Sequence, residues 1–209
     1  MSTRLVVRGV RECVPLYRPA PAPEEPGWSR FGDALGVAVY LSEAVLDDLV
    51  AWARAAVPRE TMGLLAGRAC EDADGPYTLV TGAVRAVRAD AGHAHVFAGV
   101  EEMAALMEDL RWGWPIAEVV GWWHTHPGYG TRFSRTDEAT QATFPAASSV
   151  GVVIDPSLPI GQGTGAYLGP RSGVLQPVES DGFSALDAPV PFFVLPRSPG
   201  GHHGPSPSR

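Results

Sequence analysis

The chain has 209 residues, 45% of them apolar and 19% charged, which predicts one globular domain with short appendages and excludes a disordered chain. A formal charge of −7 without any Lys/Arg cluster argues against a nucleic-acid partner, since phosphate binding relies on basic residues that release counterions. Cys13 and Cys70 lie far apart and outside any C-x-x-C spacing, and neither an apolar leader nor a window of membrane-spanning length is present, so the expectation is a cytoplasmic protein with no disulfide framework, thiolate zinc site or membrane partner.

In chain order, "RLVVRGVREC" is a short β-prone piece, suited to a sheet edge or a partner-binding arm. Residues 18–27, "RPAPAPEEPG", form a linker, because proline lacks a backbone donor and fixes φ. The main body begins near Leu35 with "GVAVYL". From Ser42, "SEAVLDDLVAWARAAVP" sets Val45, Leu46, Leu49, Val50, Trp52, Ala53 and Ala56 at helical spacing, with a serine cap and Pro58 past the end. "RETMGLLAGRA" and "YTLVTGAVRAV", joined by the turn "EDADGP", predict two hairpin-linked strands. "AGVEEMAALMEDLRW" predicts a second helix with Val100, Met103, Ala104, Leu106, Met107 and Leu110 on one face. Then come a buried strand "AEVVGWWHTHP", a helix "SRTDEATQATF", a buried strand "SSVGVVIDP", a strand "TGAYLG" and a Pro/Gly/Ser-rich end expected to be disordered. The pattern is a mixed α/β sheet with interspersed helices.

The chemistry-bearing stretch is "WWHTHPGYGTRFSRTD". On a strand, residues i and i+2 share a face, so His124 and His126 can reach one metal ion. His93 and His95 have the same spacing, but no carboxylate follows them, and they are expected to be ordinary surface histidines. After His126, Pro127 and Gly128 end the strand, and Ser134-x-x-Asp137 opens a helix that can fold back Asp137 as a third ligand. Two imidazoles, one carboxylate and an open position describe a catalytic zinc site. Ser134-x-x-Asp137 is also a helix-capping arrangement. Glu60, taken alone, is an exposed glutamate after Pro58 and Arg59. No G-x-S-x-G, Walker loop or H-E-x-x-H offers competing chemistry.

H-x-H-P followed by S-x-x-D, with Glu60 ahead of an apolar, glycine-containing strand, resembles the signature of the JAMM (MPN+) zinc metalloproteases, and the resemblance runs over roughly residues 36–170. It implies the MPN fold, a cytidine-deaminase-like mixed β-sheet flanked by helices, in a catalytic domain over 35–178 between extensions 1–34 and 179–209. It implies one Zn2+ held by His124, His126 and Asp137, with Glu60 as general base and Ser134 as oxyanion donor. The implied activity is an isopeptidase that cleaves the amide between the C-terminus of a ubiquitin-like protein and a lysine or other amine, by attack of a zinc-bound water. The alternatives are a hydrolase trimming a ubiquitin-like or sulfur-carrier precursor, and a non-catalytic scaffold of the same fold. Implied partners are a ubiquitin-like protein, its conjugates, and E1- or E2-like proteins of the same pathway. Thr131-Arg132-Phe133 departs from the Cys-Trp-Leu type sequence of eukaryotic members. The Ala-, Gly-, Pro- and Arg-rich, lysine-free composition points to a bacterial source.

Overall fold

The structure, a computed structural model, describes residues 18–20, 22–23, 27–32, 37–86 and 100–177. In chain order these carry β1 (Arg18–Pro19), β2 (Trp28–Gly32), β3 (Ala38–Ser42), α1 (Glu43–Ala56), β4 (Met62–Asp72), β5 (Gly75–Arg85), α2 (Val100–Gly113), β6 (Glu118–Thr125), α3 (Arg135–Gln141), β7 (Val150–Ile154), β8 (Thr164–Leu168) and β9 (Gly173–Pro177). The strands form one mixed sheet in the order β1-β4-β5-β3-β2-β9-β8-β7-β6, and β4 also pairs with β6, so the order runs back on itself. A mixed sheet with flanking helices in a single domain is the expected fold. The β-prone piece near the N-terminus, the His93/His95 pair and the C-terminal stretch lie outside the described residues.

Helices cover both faces of the central strands, which is why "MGLLAG" reads as a continuous apolar run and not an alternating one. α1 packs on β3, β5 and β7 through Val45, Leu46, Leu49, Val50 and Ala53, while α2 packs on β4 and β5 through the buried Leu106 and Leu110. Leu65 and Trp123 belong to the α1 side, and Met62, Leu64, Ala66 and Trp122 to the α2 side. Close packing needs Gly63, where an added Cβ would lie 1.8 Å from the Val84 carbonyl oxygen and 2.6 Å from Trp123 Nε1. Through that gap the buried indole of Trp123 donates to Val84 O at 3.0 Å.

β6 is the strand that positions the site. It lies between β4, antiparallel with Met62 opposite His124, and β7, parallel with Val153 opposite His124. The register against β4 jumps from Gly121 to Val119, leaving Val120 as an extra residue. Such a bulge re-aims the side chains beyond it. Trp122 and His124 therefore share one face, and Trp123 and Thr125 the other.

Three local expectations are revised. Ser42 precedes α1, but its side chain makes no capping hydrogen bond. Instead β2 pairs with β3, Trp28 opposite Ser42, and brings Gly27 O to the helix start, where it accepts from Glu43 N at 2.9 Å. β2 itself was not expected: "WSRFG" falls in the stretch read as extension, yet it hydrogen-bonds to both β3 and β9. α3 ends at Gln141, short of Phe144, as the chain turns ahead of Pro145 with Phe144 N bonded to Gln141 O at 3.0 Å.

Candidate active site

His124 lies on β6 and His126 just past its end, where its backbone N–H bonds to Ile154 O at 2.9 Å. Asp137 comes from the first turn of α3. Their side chains converge. His124 Nε2 and His126 Nε2 are 3.0 Å apart, and each faces the Asp137 carboxylate, His124 at 3.1 Å from Oδ1 and His126 at 3.3 Å from Oδ2. All three residues are buried, and their donor atoms lie within 4.8 Å of one another. Two imidazole nitrogens and one carboxylate oxygen at this spacing suit a three-ligand zinc site with an open fourth position.

Burial pushes His124 below the usual imidazole range, despite the opposing pull of Asp137. Burial also acts to lower His126, but there the hydrogen bond and charge of Asp137 prevail and raise it. Asp137, which burial alone would raise, is held far below the carboxylate range by hydrogen bonds from His124 and His126. An ionised carboxylate and a neutral imidazole are the forms that donate to a metal.

Asp137 serves the helix as well as the site. Its Oδ2 accepts from Ser134 N at 2.6 Å, and its own N–H donates to Ser134 Oγ at 3.2 Å, a complete capping box. The Ser134 hydroxyl thus accepts in the cap, and its hydrogen bond to the Asp137 side chain helps hold that carboxyl low. Glu60 is placed by its neighbour: Thr61 N donates to Thr125 Oγ1 at 2.8 Å, and Thr125 N donates to Thr61 O at 3.0 Å. This reciprocal clamp sets Glu60 beside the H-x-H segment. Glu60, His124, His126, Ser134 and Asp137 all line one cleft of about 390 Å³, together with Trp122, Tyr129 and Arg132.

Three buried or half-buried residues that were not singled out in the sequence hold this arrangement in place. Tyr167 OH donates to Thr131 O at 2.8 Å and accepts from Phe133 N at 3.0 Å, fixing the chain ahead of Ser134. Gln141 lies one turn beyond Asp137 on the same face of α3, a spacing that could have marked it. Its amide bonds to Trp122, Ser149 and Gly169. Asp155, just past β7, accepts from Gly128 N at 3.0 Å, Gly130 N at 2.8 Å, and both Ser157 N and Oγ. It therefore pins the turn after His126.

Burial acts to raise Asp155, but the Ser157 hydroxyl and the backbone amides outweigh it and bring its pKa down to about 2. A carboxylate depressed on folding stabilises the protein above its unfolded value of 3.8, and that contribution fades as pH falls through the folded value. Asp155→Asn is therefore expected to cost roughly 1–3 kcal/mol at neutral pH, with the difference from wild type shrinking as pH drops toward 3. Urea unfolding of both metal-free proteins between pH 7 and pH 3 measures it; a pH-independent gap would contradict the assignment.

Residues 42–156 match the family of prokaryotic homologs of the JAB domain. Over 122 residues the chain is 36% identical to the ubiquitin carboxyl-terminal hydrolase RPN11 of Saccharomyces cerevisiae and 38% identical to the 26S proteasome non-ATPase regulatory subunit 14 of Drosophila melanogaster. Each match covers 56% of this chain and 38% of the relative, so the chain spans well under half the length of these curated relatives. A solution structure of a protein from Desulfitobacterium hafniense shares the fold, with a TM-score of 0.50 and 24% identity, covering 68% of this chain and 90% of that one.

Proposed function

The chain belongs to the family of prokaryotic homologs of the JAB domain, and from that premise we propose that it is a zinc-dependent isopeptidase acting on the C-terminal amide of a ubiquitin-like protein. The observation that carries the proposal is the convergence of His124, His126 and Asp137 in one cleft with Glu60 and Ser134. Two relatives are named as a ubiquitin carboxyl-terminal hydrolase and a proteasome subunit, which supports a ubiquitin-like substrate. The proposed catalytic unit is 35–178 together with β2, which pairs into its sheet. Its proposed setting is the bacterial cytoplasm, with E1- or E2-like proteins of the same pathway as further partners.

A zinc ion held by His124, His126 and Asp137 supplies, when bound, a Lewis acid that polarises a carbonyl oxygen and acidifies water. Glu60 takes a proton from the attacking water and returns it to the leaving amine. The Ser134 hydroxyl donates to the amide oxygen as negative charge develops there. The C–N bond breaks, giving a free carboxyl tail and a free amine.

Purified wild-type protein is expected to hold one zinc per chain and to release a lysine-containing peptide from a ubiquitin-like conjugate. His124→Ala removes one of only three protein donors and is expected to lose both properties, whereas His93→Ala and His95→Ala keep them. Metal analysis of the three variants beside wild type decides this: zinc lost equally from the His93 variant would assign the metal to the wrong pair. A wild-type protein that binds zinc but cleaves no C-terminal amide would remove the isopeptidase reading.

A further inference from the structure

Metal-bound histidines are ordinarily oriented by a hydrogen bond to the ring nitrogen that faces away from the metal. Here His124 Nδ1 is buried and has no hydrogen-bond partner among the described residues. The ring plane of His124 is set by a different contact. Trp122, two residues earlier on the same face, stacks on it with centroids 4.6 Å apart and planes 9° from parallel.

Trp122 is itself fixed. Its Nε1 donates to Gln141 Oε1 at 2.7 Å. Gln141 is fully buried, and its Nε2 donates to Ser149 O and Gly169 O, both at 3.1 Å. The amide cannot be turned over: two carbonyls demand the NH2 end, and an indole N–H demands the oxygen. Gly151 makes room for this, since a Cβ there would lie 2.5 Å from Gln141 Oε1 and 2.6 Å from Phe133 Cζ. Gln141 is also in the helix that carries Asp137. One buried amide thus ties the indole under His124 and the helix of Asp137 to the carbonyls of Ser149 and Gly169, which flank β7 and β8.

We propose that Gln141 is a positioning residue for the zinc site, acting through the plane of Trp122 on His124 and through α3 on Asp137. The proposal rests on the reading of His124, His126 and Asp137 as zinc ligands. Its test is zinc affinity, measured by competition with a chromophoric chelator, together with the visible absorption of the Co2+-substituted protein, which reports ligand geometry. Gln141→Leu keeps side-chain bulk and loses all three hydrogen bonds; Trp122→Phe keeps an aromatic ring against His124 but loses the indole N–H together with part of the stacked ring area.

Each variant is expected to bind zinc about 10–100-fold more weakly, the usual scale for groups that orient metal ligands, and to shift the Co2+ bands. Because Trp122 is the route to His124, the double variant is expected to lose less than the product of the two single losses. A residue that serves only the core would lower the unfolding midpoint without changing zinc affinity in the folded protein. Folded Gln141→Leu within twofold of wild type, or fully multiplicative losses, would overturn the proposal. If Gln141→Leu does not fold, Trp122→Phe decides on the same criterion. Wild type without affinity for zinc would overturn the zinc reading itself, and this inference with it.

Discussion

Glu60→Gln is expected to keep its fold and its zinc while losing about 10²–10⁴-fold in turnover, the range in which general-base groups contribute. The amide is nearly isosteric with the carboxylate, so the Thr61–Thr125 clamp that places the residue is undisturbed. It cannot accept a proton from water at neutral pH. Zinc is retained because Glu60 is not among the three converging donors. The negative charge of Glu60 favours protonation of both His124 and His126, so removing it does not weaken the metal-donating form of either ring. Turnover of a ubiquitin-like conjugate and zinc per chain, measured on the same preparation, check both halves. Activity within tenfold of wild type in a zinc-loaded variant would take Glu60 out of the mechanism.

Ser134→Ala separates two demands on one hydroxyl. As a cap, Ser134 Oγ accepts from Asp137 N at 3.2 Å, and losing such a cap costs about 0.5–2 kcal/mol of stability. As a donor to the developing oxyanion, it is worth up to about 10²–10³-fold in turnover. The variant still allows Asp137 Oδ2 to accept from the backbone N–H of residue 134, so half of the capping box survives and the ligand keeps its place. The expected result is a modest fall in unfolding midpoint, unchanged zinc and a large kinetic loss. Normal turnover in the folded, zinc-loaded variant would reduce Ser134 to a helix cap.

Much of this was legible in the sequence because the relevant signals are local. The apolar spacing of Val45, Leu46, Leu49, Val50 and Ala53 marks α1, and H-x-H on a strand places two imidazoles on one face whatever surrounds them. Ser134-x-x-Asp137 specifies a helix start and a carboxylate position together. What could not be read depends on partners distant in the chain. Ser42 has the composition of a cap, yet Gly27 O reaches the first helical amide because β2 pairs beside β3. The bulge at Val120 leaves no mark in composition; it exists only in the register of β6 against β4. Asp155 looks like an ordinary polar residue until the fold closes around it, and the spacing of Gln141 from Asp137 marks its helix face but not its partners. Their roles follow from carbonyls and amides delivered by other segments.

The Thr61–Thr125 clamp has a consequence for partly opened molecules. His124, His126 and Asp137 come from one short, contiguous stretch, but Glu60 is joined to it by pairing between residues 64 positions apart. Bringing the ends of so long a loop together costs chain entropy that the local β6-to-α3 unit does not incur. Fraying of β4 from β6 therefore separates Glu60 from His124, His126 and Asp137 without dispersing those three residues. On the proposed function, a chain caught in that state is expected to lose amide hydrolysis before it loses affinity for the ion.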